Sequence, residues 1–203
     1  MKFAKLFSIL LVLVLAFSVV SVGAQDDGEE EAEEEKYCTE EVRAELEEME
    51  IYIPVISKGF QHQFWQAVKQ GAEQAAEDCG VEITFEGPET EAMVDKQLEM
   101  LQTALDKKPD AIAFAALDSV AAIPLLERAD EEGIPIVGFD SGVDSDIPVT
   151  TAATDNIAAA AYAADMMAEL IGGEGQVAVI AHDQTSRTGI DRVTGFTERM
   201  EEE

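Results

Sequence analysis

Basic residues, histidine and cysteine are all scarce in this sequence of 203 residues, and each scarcity excludes a class of function. Lysine and arginine number 13 against 43 aspartate and glutamate residues, which gives a formal net charge of −30. Such a chain repels nucleic acid and anionic membrane surfaces, so we expect neither as a partner. Two histidines, two cysteines and no GxxxxGK[ST] loop leave no pattern typical of a nucleophile, a metal site or a nucleotide site. We therefore predict a protein that is not an enzyme and uses no cofactor.

The first 24 residues have the pattern of a secretory signal peptide. Two lysines precede an apolar core at 6–20, and a small-residue cleavage site ends at Ala24. An uncleaved membrane anchor is the alternative, although the apolar run is short for a span. We expect a mature protein in the periplasm or outside the cell. The oxidising conditions there permit a disulfide between Cys38 and Cys79 without requiring one.

An acidic leader follows over 25–49. Its first half, DDGEEEAEEE, contains nothing to bury and is expected to be disordered. In its second half Val42, Leu46 and Met49 form a thin apolar stripe, which is compatible with one exposed helix over 39–49.

From residue 50 onwards, short apolar runs alternate with amphipathic segments. The runs that predict strands are 51–56, 81–86, 111–115, 136–139 and 148–151. Helices are predicted over 91–107 and 118–132, after a first helix with the apolar face Phe64, Val68, Ala72, Ala75 and Cys79. Repeated βα units with short connections predict a doubly wound α/β lobe over 50–150, with a parallel sheet covered on both faces.

Residues 151–203 read as a crossing segment and the start of a second, similar lobe. Helices are predicted over 156–170 and 188–200, with a strand over 176–181 between them. A lone strand cannot pair its own backbone groups. It therefore either extends the first sheet or begins an incomplete C-terminal lobe, and we favour the second interpretation.

Polar side chains follow the predicted strands, and all parallel strands end at one edge of their sheet. Lys58 follows the first strand and Asp140 the fourth, while His62 and Trp65 open the first helix. Ligands of open α/β sheets bind at this edge. The structural alternatives are a solvated loop for Lys58, an exposed helix start for His62 and core packing for Trp65. Asp140 is the strongest candidate, because an acid that ends a buried strand needs a partner.

Five stretches, taken in order, resemble the periplasmic sugar-binding proteins of ABC importers, in the ribose-binding branch of the type 1 fold. They are KGFQHQFWQAVKQGAE, ITFEGPETE, GIPIVGFDSGVD, TTAATDN and DQTSRTGIDRVTGF. The resemblance implies a monomer of two α/β lobes that are joined by three crossing segments and close on a sugar. It also implies an ABC permease in the membrane as the partner.

The resemblance implies ligand contacts as well. The family's aromatic pair matches Phe64 and Trp65, which would wall the sugar ring, and its preceding polar position matches His62. Its carboxylate matches Asp140, an acceptor for two adjacent hydroxyls. Ser141 stands where ribose binders have arginine, which makes ribose itself less secure.

Two further contacts would come from the start of the second lobe, at Arg192 and at Thr188 one helical turn before it. Ion pairing on its own helix is the alternative for Arg192. Lys58, with the FEGPETE run, is similar to relatives that bind rhamnose or autoinducer-2. The adjacent His182 and Asp183 look like an acid–base pair, but neighbours at a strand end are expected to point apart.

Two other classes of protein share this fold. A sugar-sensing repressor places DNA-reading helices where this sequence has an export signal and an acidic leader, so we reject it. A receptor for a sugar or an autoinducer-2-like ligand, which reports to a membrane sensor or chemoreceptor, stays open as the alternative to transport.

Overall fold

The computed structural model describes residues 37–202, which contain five strands and six helices. In chain order the elements are α1 (Glu40–Met49), β1 (Tyr52–Ile56), α2 (Gln63–Cys79), β2 (Glu82–Glu86), α3 (Val94–Asp106), β3 (Ile112–Phe114), α4 (Ile123–Glu131), β4 (Ile136–Phe139), β5 (Thr150–Ala152), α5 (Asn156–Ile171) and α6 (Arg187–Glu202). The expected signal peptide and the first half of the acidic leader lie outside the described residues. Within residues 37–202 no helix is long and apolar enough to cross a bilayer.

The five strands form one parallel sheet in the order β2-β1-β3-β4-β5. The direction in which strands are added reverses between β1 and β3. Right-handed crossovers then place α2 on one face of the sheet and α3 and α4 on the other. The predicted α/β lobe with a parallel sheet is confirmed, and its reversal point is where open α/β sheets bind ligands.

The main core lies between the sheet and the pair α3 and α4. Strand residues on this face, such as Ile56 and Phe114, pack with Leu101 and Leu105 of α3 and Leu126 of α4. These five side chains are almost completely buried. Full burial of such a side chain stabilises a fold by about 1.5–3 kcal/mol. The short apolar runs form strands because their alternate residues enter this core.

A disulfide joins the N-terminal helix to the first lobe. Cys38, just before α1, is bonded to Cys79 at the end of α2, so the pairing that the sequence left open does form. Thr39 caps α1 by accepting a hydrogen bond from Val42 N at 3.3 Å. No residue of α1 is buried, which agrees with the exposed helix predicted for the second half of the leader.

The predicted face of α2 is wrong at its first position. Trp65 is buried to 2% exposure, whereas Phe64 is 47% exposed. The N-cap of α2 explains this, because the cap is His62, whose Nδ1 accepts a hydrogen bond from Phe64 N, and the helix begins at Gln63. The first turn therefore presents Trp65 to the sheet and leaves Phe64 at the rim.

Two predicted helices start later than their apolar periodicity suggested. α3 begins at Val94 instead of residue 91, and α4 begins at Ile123 instead of residue 118. Before α4, the Asp118 carboxylate accepts hydrogen bonds from two successive backbone N–H groups, at 2.9 and 2.8 Å. This side chain closes a turn that competes with helix formation.

The strand predicted over 176–181 is wrong, since these residues adopt no strand pairing. They run past α5 and α6, and Ile180 is 95% exposed. A strand needs hydrogen bonds from a neighbour, and neither edge of the five-stranded sheet reaches this segment. An apolar groove of about 570 Å³, whose lining includes Val177, Ile180 and Phe196, lies between the segment and the two helices.

Candidate functional site

One buried glutamine holds together the strand ends that carry the site. Gln97 of α3 donates from Nε2 to Ser57 O at 2.9 Å and to Ala115 O at 2.8 Å. Its Oε1 accepts a hydrogen bond from Leu117 N at 3.0 Å. These backbone groups lie just beyond β1 and β3, where the sheet ladder no longer pairs them. Gln97 therefore fixes the loop from which Lys58 projects.

A glycine allows the loop after β2 to approach the loop after β1. A Cβ at Gly87 would lie 2.9 Å from the backbone carbonyl of Gly59 and would collide with the Ser57 hydroxyl. Only glycine avoids this contact. The close approach brings Glu91, which follows the loop after β2, beside the residues that follow β1.

Lys58 is the charged centre of the site and is only 3% exposed. Its Nζ lies 3.1 Å from Asp140 Oδ2 and 4.0 Å from Glu91 Oε2. It also donates a hydrogen bond to Thr188 Oγ1 at 3.0 Å. A buried ammonium needs such partners because desolvation penalises its charge. The solvated-loop alternative for Lys58 is therefore wrong.

Asp140 has a strained backbone conformation at the end of β4. Its φ is +56°, a region that non-glycine residues seldom occupy and that aspartate tolerates better than most. A hydrogen bond of 2.6 Å from Ser141 N to Phe139 O closes a three-residue turn around it. Such strain concentrates at functional sites. The turn aims the carboxylate at Lys58 and turns Ser141 inward, where its Oγ lies 3.5 Å from Thr188 N.

The aromatic pair at the start of α2 forms one wall. Trp65 donates its indole N–H to Glu91 Oε1 at 2.7 Å, and its ring lies edge-on to Phe139 at 6.4 Å. Phe64 packs edge-on against Trp65 at 4.8 Å. The Lys58 ammonium lies 5.9 Å from the Trp65 ring centroid, within the range of a cation–π interaction. Trp65 thus forms the floor of the site, and Phe64 offers the exposed ring.

The opposite wall comes from the start of α6 and the chain before it. Arg192 donates from Nε to Asn156 Oδ1 at 2.8 Å, so the partner that the structure gives it is an amide on α5. His182 Nε2 lies 2.7 Å from Asp183 Oδ2, and the expectation that these neighbours point apart is wrong. The chain is not a strand there, so its side chains do not alternate.

Asp183 organises the turn that leads into α6. Burial raises the pKa of Asp183. The carboxylate also accepts hydrogen bonds from the Ser186 hydroxyl and from the backbone N–H groups of Ser186 and Thr185. These bonds outweigh burial, so the pKa lies below its ordinary value of 3.8. This turn also reaches the sheet edge. Thr185 Oγ1 donates to Leu117 O at 3.1 Å, and Ser119 N donates to Thr185 O at 2.9 Å. These bonds hold Thr188 over Lys58.

The walls enclose a cleft of about 300 Å³, at the small end of the range for small-molecule sites. The residues that line it are Lys58, His62, Phe64, Trp65, Glu91, Asp140, His182, Thr188 and Arg192. Seven of the eight residues predicted from the sequence are among them. The eighth, Ser141, is completely buried beneath the cleft.

Sequence reasoning missed two residues that line the cleft. Glu91 was assigned to a helix, and His182 was assigned to a strand end. The available signal for Glu91 was the carboxylate in the GPETE run after the second strand, at the same sheet edge as Lys58. No periodic signal locates His182.

The chemistry of the cleft suits a polar organic ligand of low charge. It offers one exposed aromatic ring, two carboxylates and two cationic groups, with Lys58 already paired to Asp140. Carboxylates accept hydrogen bonds from hydroxyl groups, and an aromatic ring packs against the apolar face of a ring-shaped ligand. The larger apolar groove has few polar groups, so the cleft is the stronger candidate for a polar ligand.

The folded part of the chain is similar to proteins of a known family. Residues 53–203 match the family described as the periplasmic binding protein domain. The D-allose-binding periplasmic protein of Escherichia coli (strain K12) is 30% identical over 152 residues, which cover 71% of this chain and 49% of the relative. The chain spans about half the length of the curated relatives it matches.

Two solved structures show the same fold. An ABC transporter solute-binding protein from Agrobacterium vitis, with bound D-fucose, is 36% identical with a TM-score of 0.72, over 74% of this chain and 53% of that one. A structure from Brachyspira murdochii, described as an ABC transporter, LacI family transcriptional regulator, is 42% identical with a TM-score of 0.67, over 75% of this chain and 51% of that one.

Proposed function

The chain belongs to the family of periplasmic binding protein domains, and we propose that it is an extracytoplasmic solute-binding protein, which captures a sugar between two lobes and delivers it to an ABC import permease. One observation carries the proposal. Seven residues chosen from the sequence for sugar binding line a single cleft at the reversal point of the sheet. The relative named for D-allose and the solved structure with bound D-fucose support a monosaccharide as the ligand class.

The cleft residues make different kinds of contact with the sugar. Phe64 packs against the apolar face of the sugar ring. Asp140 accepts hydrogen bonds from adjacent hydroxyls, while Lys58 and Arg192 donate to ring or hydroxyl oxygens. Because Asp140 and Lys58 already pair across 3.1 Å, both are oriented before the ligand arrives. Such preorganisation lowers the entropic cost of binding.

Residues from both parts of the chain take part, which fits capture between two lobes. Thr188 and Arg192 belong to α6, whereas Lys58 and Asp140 follow strands of the first lobe. A ligand that contacts both walls favours the arrangement in which they are close. In this proposal further strands of the second lobe pair with 176–181 and cover the apolar groove beside it.

The proposal also sets an expected affinity. A sugar bound with micromolar affinity by two complete lobes gains about −8 kcal/mol, and half of that corresponds to a dissociation constant of about 1 mM. We therefore expect the 203-residue chain to bind its sugar with millimolar affinity.

Tryptophan emission tests the proposal, because Trp65 is the single tryptophan of the chain and forms the floor of the cleft. The purified chain is titrated with pentoses, hexoses and deoxysugars, including D-allose and D-fucose. We expect a saturable change with one class of sugar, and its loss in Asp140→Asn, which keeps a side chain that tolerates positive φ. If no sugar changes the emission or the heat of mixing at concentrations tenfold above about 1 mM, the proposed function is wrong.

A further inference from the structure

We propose that Glu91 is a specificity-determining residue of this cleft, whose carboxylate contacts the ligand, orients Trp65 and disfavours anionic ligands. The inference rests on the proposed sugar-binding function and adds the charge class of the ligand.

The two oxygens of the Glu91 carboxylate have different surroundings. Oε1 accepts the indole N–H of Trp65 at 2.7 Å, whereas Oε2 faces Lys58 Nζ at 4.0 Å, too far for a hydrogen bond. The side chain of Glu91 is 41% exposed, against 16% for Asp140. Glu91 is therefore the carboxylate of the cleft that a ligand reaches first, and Oε2 keeps room for a hydroxyl donor.

The charges that line the cleft are balanced without a ligand. Lys58 and Arg192 supply two positive charges, and Glu91 and Asp140 supply two negative ones. An anionic ligand therefore brings an uncompensated charge next to Glu91, in a cleft whose buried ammonium is already paired. A neutral polyol adds hydrogen bonds without that penalty.

The hydrogen bond to Glu91 also removes a donor that an anion needs. The indole N–H of Trp65 points at Glu91 and is not available to a ligand. A Cβ on Gly59 would contact both Trp65 and Glu91 within 4 Å, so the three residues are packed together. Trp65 thus offers its ring alone, and Glu91 keeps it in that orientation.

The test uses nuclear magnetic resonance of the full chain, because the single indole N–H gives one resolvable resonance at the site. The probes are matched pairs, in which each neutral sugar of the panel is compared with the acid or phosphate ester made at its terminal carbon. We expect the wild-type chain to bind the neutral member at least about tenfold more tightly, a ratio that corresponds to about 1.4 kcal/mol.

The key variant is Glu91→Gln, which keeps an oxygen acceptor for the indole and removes the charge. We expect it to lower the ratio of neutral to anionic affinity by about tenfold, because the anionic member no longer meets the charge of Glu91. Glu89→Gln is the matched control, because Glu89 lies in the same loop and does not line the cleft. It should leave the ratio unchanged.

The outcomes separate this inference from the function on which it rests. If the wild-type chain binds a sugar but prefers the anionic member, or if Glu91→Gln leaves the ratio unchanged, the inference is wrong and the proposed function stands. Equal weakening of both members would assign Glu91 a structural role only and would also overturn it. If no member of any pair binds, the proposed function fails and the inference fails with it. The indole resonance and far-ultraviolet circular dichroism verify folding. If Glu91→Gln does not fold, Glu91→Asn replaces it, because asparagine also removes the charge, and the same fall in the ratio of about tenfold is then expected.

Discussion

The buried pair of Lys58 and Asp140 lines the cleft and should also stabilise the fold, so that removing one partner lowers the free energy of unfolding. Their charged atoms lie 3.1 Å apart, and the lysine is almost completely buried. At an effective dielectric constant of about 20, that distance corresponds to about 5 kcal/mol of attraction, which the desolvation of both charges offsets in large part. Removing one partner leaves the other charge buried, and costs about 3–5 kcal/mol in comparable pairs.

We therefore expect Lys58→Met to lower the free energy of unfolding by about 3 kcal/mol, and the double variant Lys58→Met with Asp140→Asn to be more stable than the sum of the single changes implies. Asparagine suits position 140 because it also tolerates positive φ. Urea unfolding followed by circular dichroism measures all three variants.

An exposed pair provides the control. Lys96 and Glu99 lie 2.8 Å apart on the surface of α3, closer than Lys58 and Asp140. Lys96→Met should have no measurable effect, since solvent screens such pairs. The burial of an ion pair, and not the distance between its charged atoms, therefore determines how much unfolding free energy is lost when one partner is removed. A loss below about 1 kcal/mol in Lys58→Met, or additive effects in the double variant, would show that the buried pair does not stabilise the fold.

Three further predictions concern the rest of the fold. Reduction of the disulfide between Cys38 and Cys79, which are 41 residues apart, should lower the free energy of unfolding by about 3–4 kcal/mol. Urea titrations with and without a reductant measure this difference, and a change below about 1 kcal/mol would contradict the prediction. Gly195→Ala should destabilise the fold by more than about 2 kcal/mol, because its Cβ would collide with the backbone of Ile157. A Cβ at Gly71 would have nothing within 4 Å, so Gly71→Ala should stabilise α2 by about 0.5–1 kcal/mol. Thermal unfolding that ranks the two variants the other way would contradict this. Because the pKa of Asp183 is lowered in the folded state, its carboxylate stabilises the fold above the ordinary pKa of 3.8, and this contribution is lost as the pH falls through the folded pKa. The free energy of unfolding of Asp183→Asn should therefore fall less than that of wild type between about pH 5 and pH 3. Equal losses in the two proteins would contradict this.

The strands of the first lobe could be predicted because their signals are local. Apolar runs such as 136–139 are short, and their alternate residues enter one core, so the run itself indicates the strand. The site edge followed from topology alone, since all parallel strands end together. Lys58 and Asp140 could be placed there without any knowledge of their distance.

Features that depend on long-range contacts could not be predicted. The segment 176–181 has the composition of a strand but no neighbour to pair with, so composition alone was misleading. Gln97 lies on an ordinary amphipathic helix, and only the sheet edge reveals that it binds three backbone groups. The GPETE run indicates the sheet edge at which Glu91 lies, but Glu91 reaches the cleft only because Gly87 lets two loops approach, which is a long-range contact.

A crystal structure of the chain with the sugar identified by titration shows whether the cleft between Phe64, Asp140 and Arg192 binds that sugar. We expect the sugar ring to lie against Phe64, with hydroxyls within hydrogen-bond distance of Asp140 and Glu91. A sugar bound in the apolar groove beside 176–181, with the cleft occupied only by water, would contradict it.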